Sequence, residues 1–140
     1  MTADLKDRAT YAFWWSENIR FSDTDMVGHV NNVAFAALLE SGRTAYSHES
    51  RFARGPANTQ VVMARNEIDY LRELHWPGTV DIGSRVTAVG NRSYRIASGV
   101  FLGDACICTG VAVLVMIDRT TRRAVALPPE YRRFLESECL

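Results

Sequence analysis

The feature that most restricts how this chain can fold is a single long apolar helical stretch, Val33 to about Ser47, standing ahead of four strand-like segments. Phe35, Leu38, Leu39, Gly42 and Tyr46 fall at helical spacing along one stripe. The opposite side carries mostly small residues and few charges, so the helix must be covered nearly all round. Asn31 or Asn32 supplies the side-chain oxygen that caps its first turn. Gly42 sits inside the helix at a cost of about 1 kcal/mol against Ala, for which close packing of another backbone is the expected reason.

What must cover the helix follows from the strand pattern. Trp14 to Phe21 is a first strand with imperfect alternation. After the helix, the Gly55-Pro56-Ala57-Asn58 cluster marks a turn. Strands are then expected over Thr59–Leu71, Thr79–Val89, Ser93–Leu102 and Ala105–Ile117. Gly90-Asn91 and Gly103-Asp104 supply tight turns between the last three. Consecutive strands joined by short turns pair antiparallel. Pro128-Pro129 opens a short C-terminal helix near Glu130–Leu135. The expected class is therefore α+β: a curved antiparallel sheet of about five strands wrapped around one long helix. Such a chain has open sheet edges and a modest core, which association through an edge would relieve. Its 140 residues fit one domain, 1–140, with the polar stretch 1–10 expected to be flexible.

Charge and cysteine usage narrow the function classes. Sixteen basic and sixteen acidic residues give a formal net charge of zero, which argues against a nucleic-acid partner held by bulk electrostatics. Lys6 is the only lysine, so arginine supplies nearly all the positive charge and suits planar contacts to carboxylate or phosphate. The N-terminus lacks the apolar core of a signal peptide, and no apolar run approaches the ~20 residues that cross a bilayer. Cys106, Cys108 and Cys139 are then expected as reduced thiols in the cytoplasm. Cys106 and Cys108, two apart in a strand, are expected to share a face as small buried hydrophobes.

The chemistry is concentrated in Arg20-Phe21-Ser22-Asp23-Thr24-Asp25-Met26-Val27-Gly28-His29-Val30-Asn31-Asn32. This run resembles the opening motif of the 4-hydroxybenzoyl-CoA thioesterase-like branch of the hotdog superfamily: a strand end, Asp-x-Asp, two residues, then Gly-His-Val-Asn-Asn at the start of the central helix. Leu39-Glu40-Ser41-Gly42-Arg43 resembles the family's helix continuation, and the layout from Val61 to Pro129 fits as well. The resemblance implies a hotdog fold and hydrolysis of acyl-CoA thioesters to free acid and CoA. It implies no metal or redox cofactor, CoA being part of the substrate and a product. It also implies a homodimer or homotetramer.

By the same resemblance Asp25 is the catalytic carboxylate, either attacking the thioester carbonyl or activating a water. The backbone N–H of Asn32 is implied as oxyanion donor, with a second contribution from Val61 or Val62 of another subunit. Arg92 and Ser93, after the Gly90 turn, are implied as contacts to CoA. Gly28 supplies a positive φ for the turn or keeps space for the ligand. His29 is expected to position rather than to transfer protons. Asp23 reads as a structural anchor to nearby amides, and Glu40 with Arg43, three apart, as a local ion pair. The spacing of Asp23, Asp25, His29 and His48 matches no standard metal site, and His75 reads as an exposed turn residue. No Gly-x-Ser-x-Gly elbow, P-loop or dehydratase-type Phe-Pro-Gly-His-Phe-Pro run occurs. Two other functions fit the same motif: hydrolysis of acyl-carrier-protein thioesters, and acyl-CoA binding without turnover.

Overall fold

The computed structural model describes residues 3–50 and 55–140. Five strands form one antiparallel sheet: β1 (Phe13–Ile19), β2 (Thr59–Tyr70), β3 (Gly78–Val89), β4 (Ser93–Leu102) and β5 (Ala105–Asp118). Their spatial order is β1-β3-β4-β5-β2, so the helix-bearing connection carries the chain from one edge of the sheet to the other. Helix α1 (Asn32–Glu49) lies across the concave face, and α2 (Pro129–Glu138) covers the same face beside its C-terminal half. This is the expected hotdog arrangement.

The apolar stripe of α1 explains the seat of the helix. Phe35, Leu38, Leu39, Gly42 and Tyr46 are all buried, and Leu39 is fully so. Under the first half of α1 lie Ile82, Val100, Ile107 and Cys108; Tyr46 packs with Val86, Tyr94, Ile96 and Met116 under the second half. Gly42 is required by β3, because a Cβ there would overlap Ile82 and stand 2.9 Å from its Cβ. The other side of the helix is bare in the single chain, with Val33 at 72% exposure.

Several expectations need correction. β1 ends at Ile19 rather than Phe21, because the Asp23 carboxylate captures the Arg20 N–H at 2.8 Å and draws Phe21–Asp23 into a 3-10 turn. Residues 3–12 lie on the convex face (Met1 and Thr2 lie outside the described residues). There Tyr11 is buried, its hydroxyl donates to Leu5 O at 2.6 Å, and the Arg8 guanidinium lies 4.1 Å from the Trp14 ring centroid. Cys106 and Cys108 do not share a cluster. A bulge opposite Val100 and Phe101 sends Cys108 under the helix and Cys106 to the convex side. Glu40 and Arg43 form no ion pair among the described residues. Arg43 is buried and reaches Met63 Sδ at 3.8 Å. Burial pushes its guanidinium down, and the charge of Glu40 offsets part of that.

Candidate active site

The motif folds into a tight hairpin between β1 and α1. Thr24 and Val30 bridge, the Gly28 N–H donates to Asp25 O at 3.1 Å, and the Asp25 N–H donates to His29 O at 2.9 Å. Gly28 takes φ +85° and closes the loop as the left-handed residue after a three-residue turn. A Cβ at Gly28 would meet nothing within 4 Å, so within one chain the need for glycine is conformational rather than steric. The Asp25 carboxylate accepts the Val27 N–H at 2.9 Å and is otherwise exposed at the tip.

The base of the hairpin is held by Asp23. Its carboxylate takes three N–H groups of Arg20, and its carbonyl accepts both the backbone N–H of Asn31 at 2.9 Å and the Asn31 side chain at 3.0 Å. Burial pushes the Asp23 carboxyl up, but the Arg20 guanidinium and N–H outweigh it and hold the group below the ordinary carboxylate range. Asn31 is the N-cap of α1, accepting from Ala34 N at 2.8 Å. The backbone N–H groups of Asn32 and Val33 are left without an acceptor among the described residues. The first turn of the helix therefore presents free donors and the positive end of its dipole next to the hairpin that carries Asp25.

His29 is half-buried and faces the loop after β2. Its Nε2 is 3.5 Å from Glu73 Oε2, its ring meets that of His75 edge-on at 5.0 Å, and the two histidines share an isolated bridge. His75, an exposed turn residue as the sequence suggests, thus belongs to the hairpin's surroundings. Sequence reasoning missed that link because the two residues meet only through the return of the chain after β2.

The remaining site residues lie at the other end of the sheet. Val62 pairs with Val115, which pairs in turn with Ser93, so Val62 and Ser93 stand two strands apart at one level. Arg92 is exposed in the adjoining turn, and Val61 lines a cleft of about 500 Å³ with Arg43, Met63 and Arg119. The other end of β2 adjoins the start of α1, where the Tyr70 hydroxyl donates to Asn32 O at 3.3 Å. Eight residues of strand separate Val62 from Tyr70, roughly 26 Å at about 3.3 Å per residue. One chain therefore brings Asp25, Gly28, His29 and Asn32 together and leaves Val61, Val62, Arg92 and Ser93 far from them. Phe35 and Tyr46 are 5% and 1% exposed and serve the core.

Around the hairpin the surface is apolar. Phe21, Met26, Val27, Val33 and Trp76 are all exposed, and Phe21 meets Trp76 edge-on at 5.4 Å. Such a patch beside the polar groups of the hairpin marks a surface that another molecule covers.

Comparison with known proteins agrees with the fold. The model of the thioesterase-like superfamily matches residues 19–135, from the last residue of β1 into α2. The YsmA protein of Bacillus subtilis, itself uncharacterized, is 28% identical over 130 residues, covering 91% of this chain and 88% of that one. The crystal structure of the PA5185 protein of Pseudomonas aeruginosa superposes with a TM-score of 0.84 at 27% identity, covering 95% of each chain. A thioesterase from Thermus thermophilus, crystallised with coenzyme A and Zn, is similar at a TM-score of 0.77 and 30% identity, covering 89% of this chain and 98% of that one. The hotdog sheet, the Asp-bearing hairpin and a family match across most of the chain agree: this protein belongs to the thioesterase-like superfamily.

Proposed function

We propose that this protein hydrolyses acyl-CoA thioesters to free carboxylic acid and CoA, with Asp25 as the catalytic carboxylate. The observation that carries the reading is the exposed Asp25 carboxylate on a hairpin fixed ahead of a helix whose Asn32 N–H has no acceptor among the described residues. In one route Asp25 takes a proton from water as the oxygen adds to the thioester carbon. In the other its oxygen adds directly, giving a mixed anhydride that water then opens. In both, negative charge gathers on the former carbonyl oxygen and the C–S bond breaks. The CoA sulfur leaves as thiolate and takes up a proton. The Asn32 N–H serves as oxyanion donor, an interaction typically worth about 2.7–4 kcal/mol in the transition state. Binding of coenzyme A by the Thermus thioesterase supports CoA as the carrier.

The second half of the site comes from another subunit in this reading. β2 is a sheet edge of twelve residues, mostly exposed over its second half. An open edge of that length invites pairing. Two-fold antiparallel pairing would place the Val61 end of one β2 beside the Asn32 end of the other. It would also bring Arg92 and Ser93 of the partner subunit toward the same substrate, where a guanidinium suits the CoA phosphates. The acyl group would then lie between subunits, beside α1. The three free cysteines fit a reducing compartment such as the cytoplasm. No helix among the described residues is long and apolar enough to cross a membrane.

The test is CoA release from short, medium, long and aromatic acyl-CoAs by wild type and Asp25→Asn. We expect turnover by wild type and a loss of at least about a hundredfold in the variant, with circular dichroism unchanged. Unchanged turnover in the variant would remove Asp25 from the chemistry. Activity confined to acyl-carrier-protein thioesters would replace the substrate, and tight acyl-CoA binding without turnover would make the protein a binding module.

A further inference from the structure

We propose that His29, Glu73 and His75 form a binding site for a divalent transition metal, zinc by preference, that clamps the Asp25 hairpin to the loop after β2. The ligand atoms of these three residues all lie within 4.8 Å of one another. Glu73 Oε2 is 3.5 Å from His29 Nε2 and 3.4 Å from His75 Nε2. Zinc binds His nitrogen and carboxylate oxygen at about 2.0–2.2 Å, and in a tetrahedron that makes neighbouring ligand atoms about 3.3–3.5 Å apart. Two edges of the set already have the length of a zinc tetrahedron. The third, between the imidazoles, closes by a small rotation of an exposed ring. Two histidines, one glutamate and an open position reproduce a known zinc donor set.

Hydrogen bonding at His75 points the same way. Its Nδ1 lies 3.3 Å from the Gly28 carbonyl oxygen while its Nε2 faces the Glu73 carboxylate. A neutral imidazole has one N–H and one lone pair. Whichever tautomer is chosen, one lone pair is set against an oxygen acceptor. Either a second ring proton or a metal on Nε2 relieves this, and with the metal Nδ1–H donates to the carbonyl. That is the outer hydrogen bond by which metal-ligating histidines are usually oriented. Glu73 likewise lies between two imidazole nitrogens and has no other ion-pair or hydrogen-bond partner among the described residues.

The grouping is invisible in the sequence, where His29 lies more than forty residues before Glu73. The bridge between His29 and His75 brings the segments together. A metal here would join residue 29, whose carbonyl holds the Asp25 N–H, to residues 73 and 75, whose backbone neighbour Leu74 is 1% exposed and receives the Val30 N–H at 2.8 Å. Its effect on the protein is to stiffen that junction.

The experiment uses the untagged, metal-stripped full chain titrated with zinc alone and, in parallel, with cobalt, whose visible absorption reports four-coordination. We expect one metal per chain, a Kd in the micromolar range or tighter, and a rise in Tm of about 9 °C at a hundredfold excess over Kd. Affinity should fall at least about tenfold in Glu73→Gln and in His75→Ala, the size usual for loss of a ligand or its support. It should stand unchanged in His48→Ala, the remaining histidine, and in Cys139→Ser. Glu73→Gln keeps the shape of an exposed side chain, so a folding failure does not obscure the reading. Binding well below one metal per chain, binding unaffected by Glu73→Gln and His75→Ala, or binding abolished by Cys139→Ser would each overturn the proposal.

Discussion

At the scale of single residues, the hairpin depends on the buried carboxylate of Asp23. Asp23 is 4% exposed and holds Arg20, while its carbonyl holds Asn31, so one residue joins the end of β1 to the cap of α1. Replacing it with Ala removes the buried acceptor of three N–H groups of the exposed Arg20, and Asp23→Ala should cost about 1–3 kcal/mol in urea unfolding. The pH dependence follows from its lowered carboxyl. A group held below its unfolded value binds fewer protons when folded, so its stabilisation is complete above about pH 4 and is lost as pH falls through the folded value. The gap between wild type and Asp23→Ala should therefore narrow only in strong acid; a gap that narrows between pH 8 and 6 would contradict this assignment. Thiol chemistry is decided by burial. Desolvation pushes the Cys108 thiol up to about 12 and raises that of Cys106, so both stay protonated, whereas Cys139 is only half-buried. Native alkylation followed by mass spectrometry should label Cys139 alone, and all three thiols after denaturation.

At the scale of elements, the helix and its sheet were legible because each announces its own period. The stripe from Phe35 to Tyr46 is buried as read, and β4 runs over Ser93–Leu102 as its alternation predicts. The N-cap oxygen is that of Asn31, which the sequence left open between two asparagines. What the sequence does not carry is non-local. Nothing in β2 says that it pairs with β5 at the far edge, and nothing near His75 says that His29 is its neighbour. The bulge that separates Cys106 from Cys108 is equally silent, because it depends on the partner strand. Gly42 lies between these cases: the sequence marks it as unusual, and only the fold supplies Ile82 as the reason. Gly42→Ala sets two effects against each other. Helix propensity gains about 1 kcal/mol, while a methyl forced against β3 costs about 1–3 kcal/mol or more in strain. A Cβ placed 2.9 Å from the Ile82 Cβ has no flexible side-chain end to displace, so strain should win and the Tm should fall. A Tm raised by the substitution would show that α1 sits farther from β3 than described.

At the scale of the whole molecule, the candidate site is split. Asp25 and Asn32 stand at one end of α1, whereas Val62 and Ser93 share a level at the other end of the sheet. An 18-residue helix is about 27 Å long, more than any side chain spans. If the proposed chemistry needs both groups, two chains must supply them, and that can be tested by mixing two damaged chains. Asp25→Asn removes the carboxylate. Arg92→Glu, at an exposed turn, sets a negative charge against the CoA phosphates and should lower kcat/KM about ten- to a hundredfold. In a heterodimer of the two variants, one site pairs an intact Asp25 with an intact Arg92 and the other carries both defects. Random reassembly makes about half of the dimers mixed, and half of their sites intact, so activity should recover to about a quarter of wild type. A mixture that stays at the average of the two separate variants would place Asp25 and Arg92 in the same chain's site, or remove Arg92 from it. Because the pairing edge is β2, a Pro at an outward-facing amide of that strand should abolish the recovery and the dimer together while leaving each chain folded.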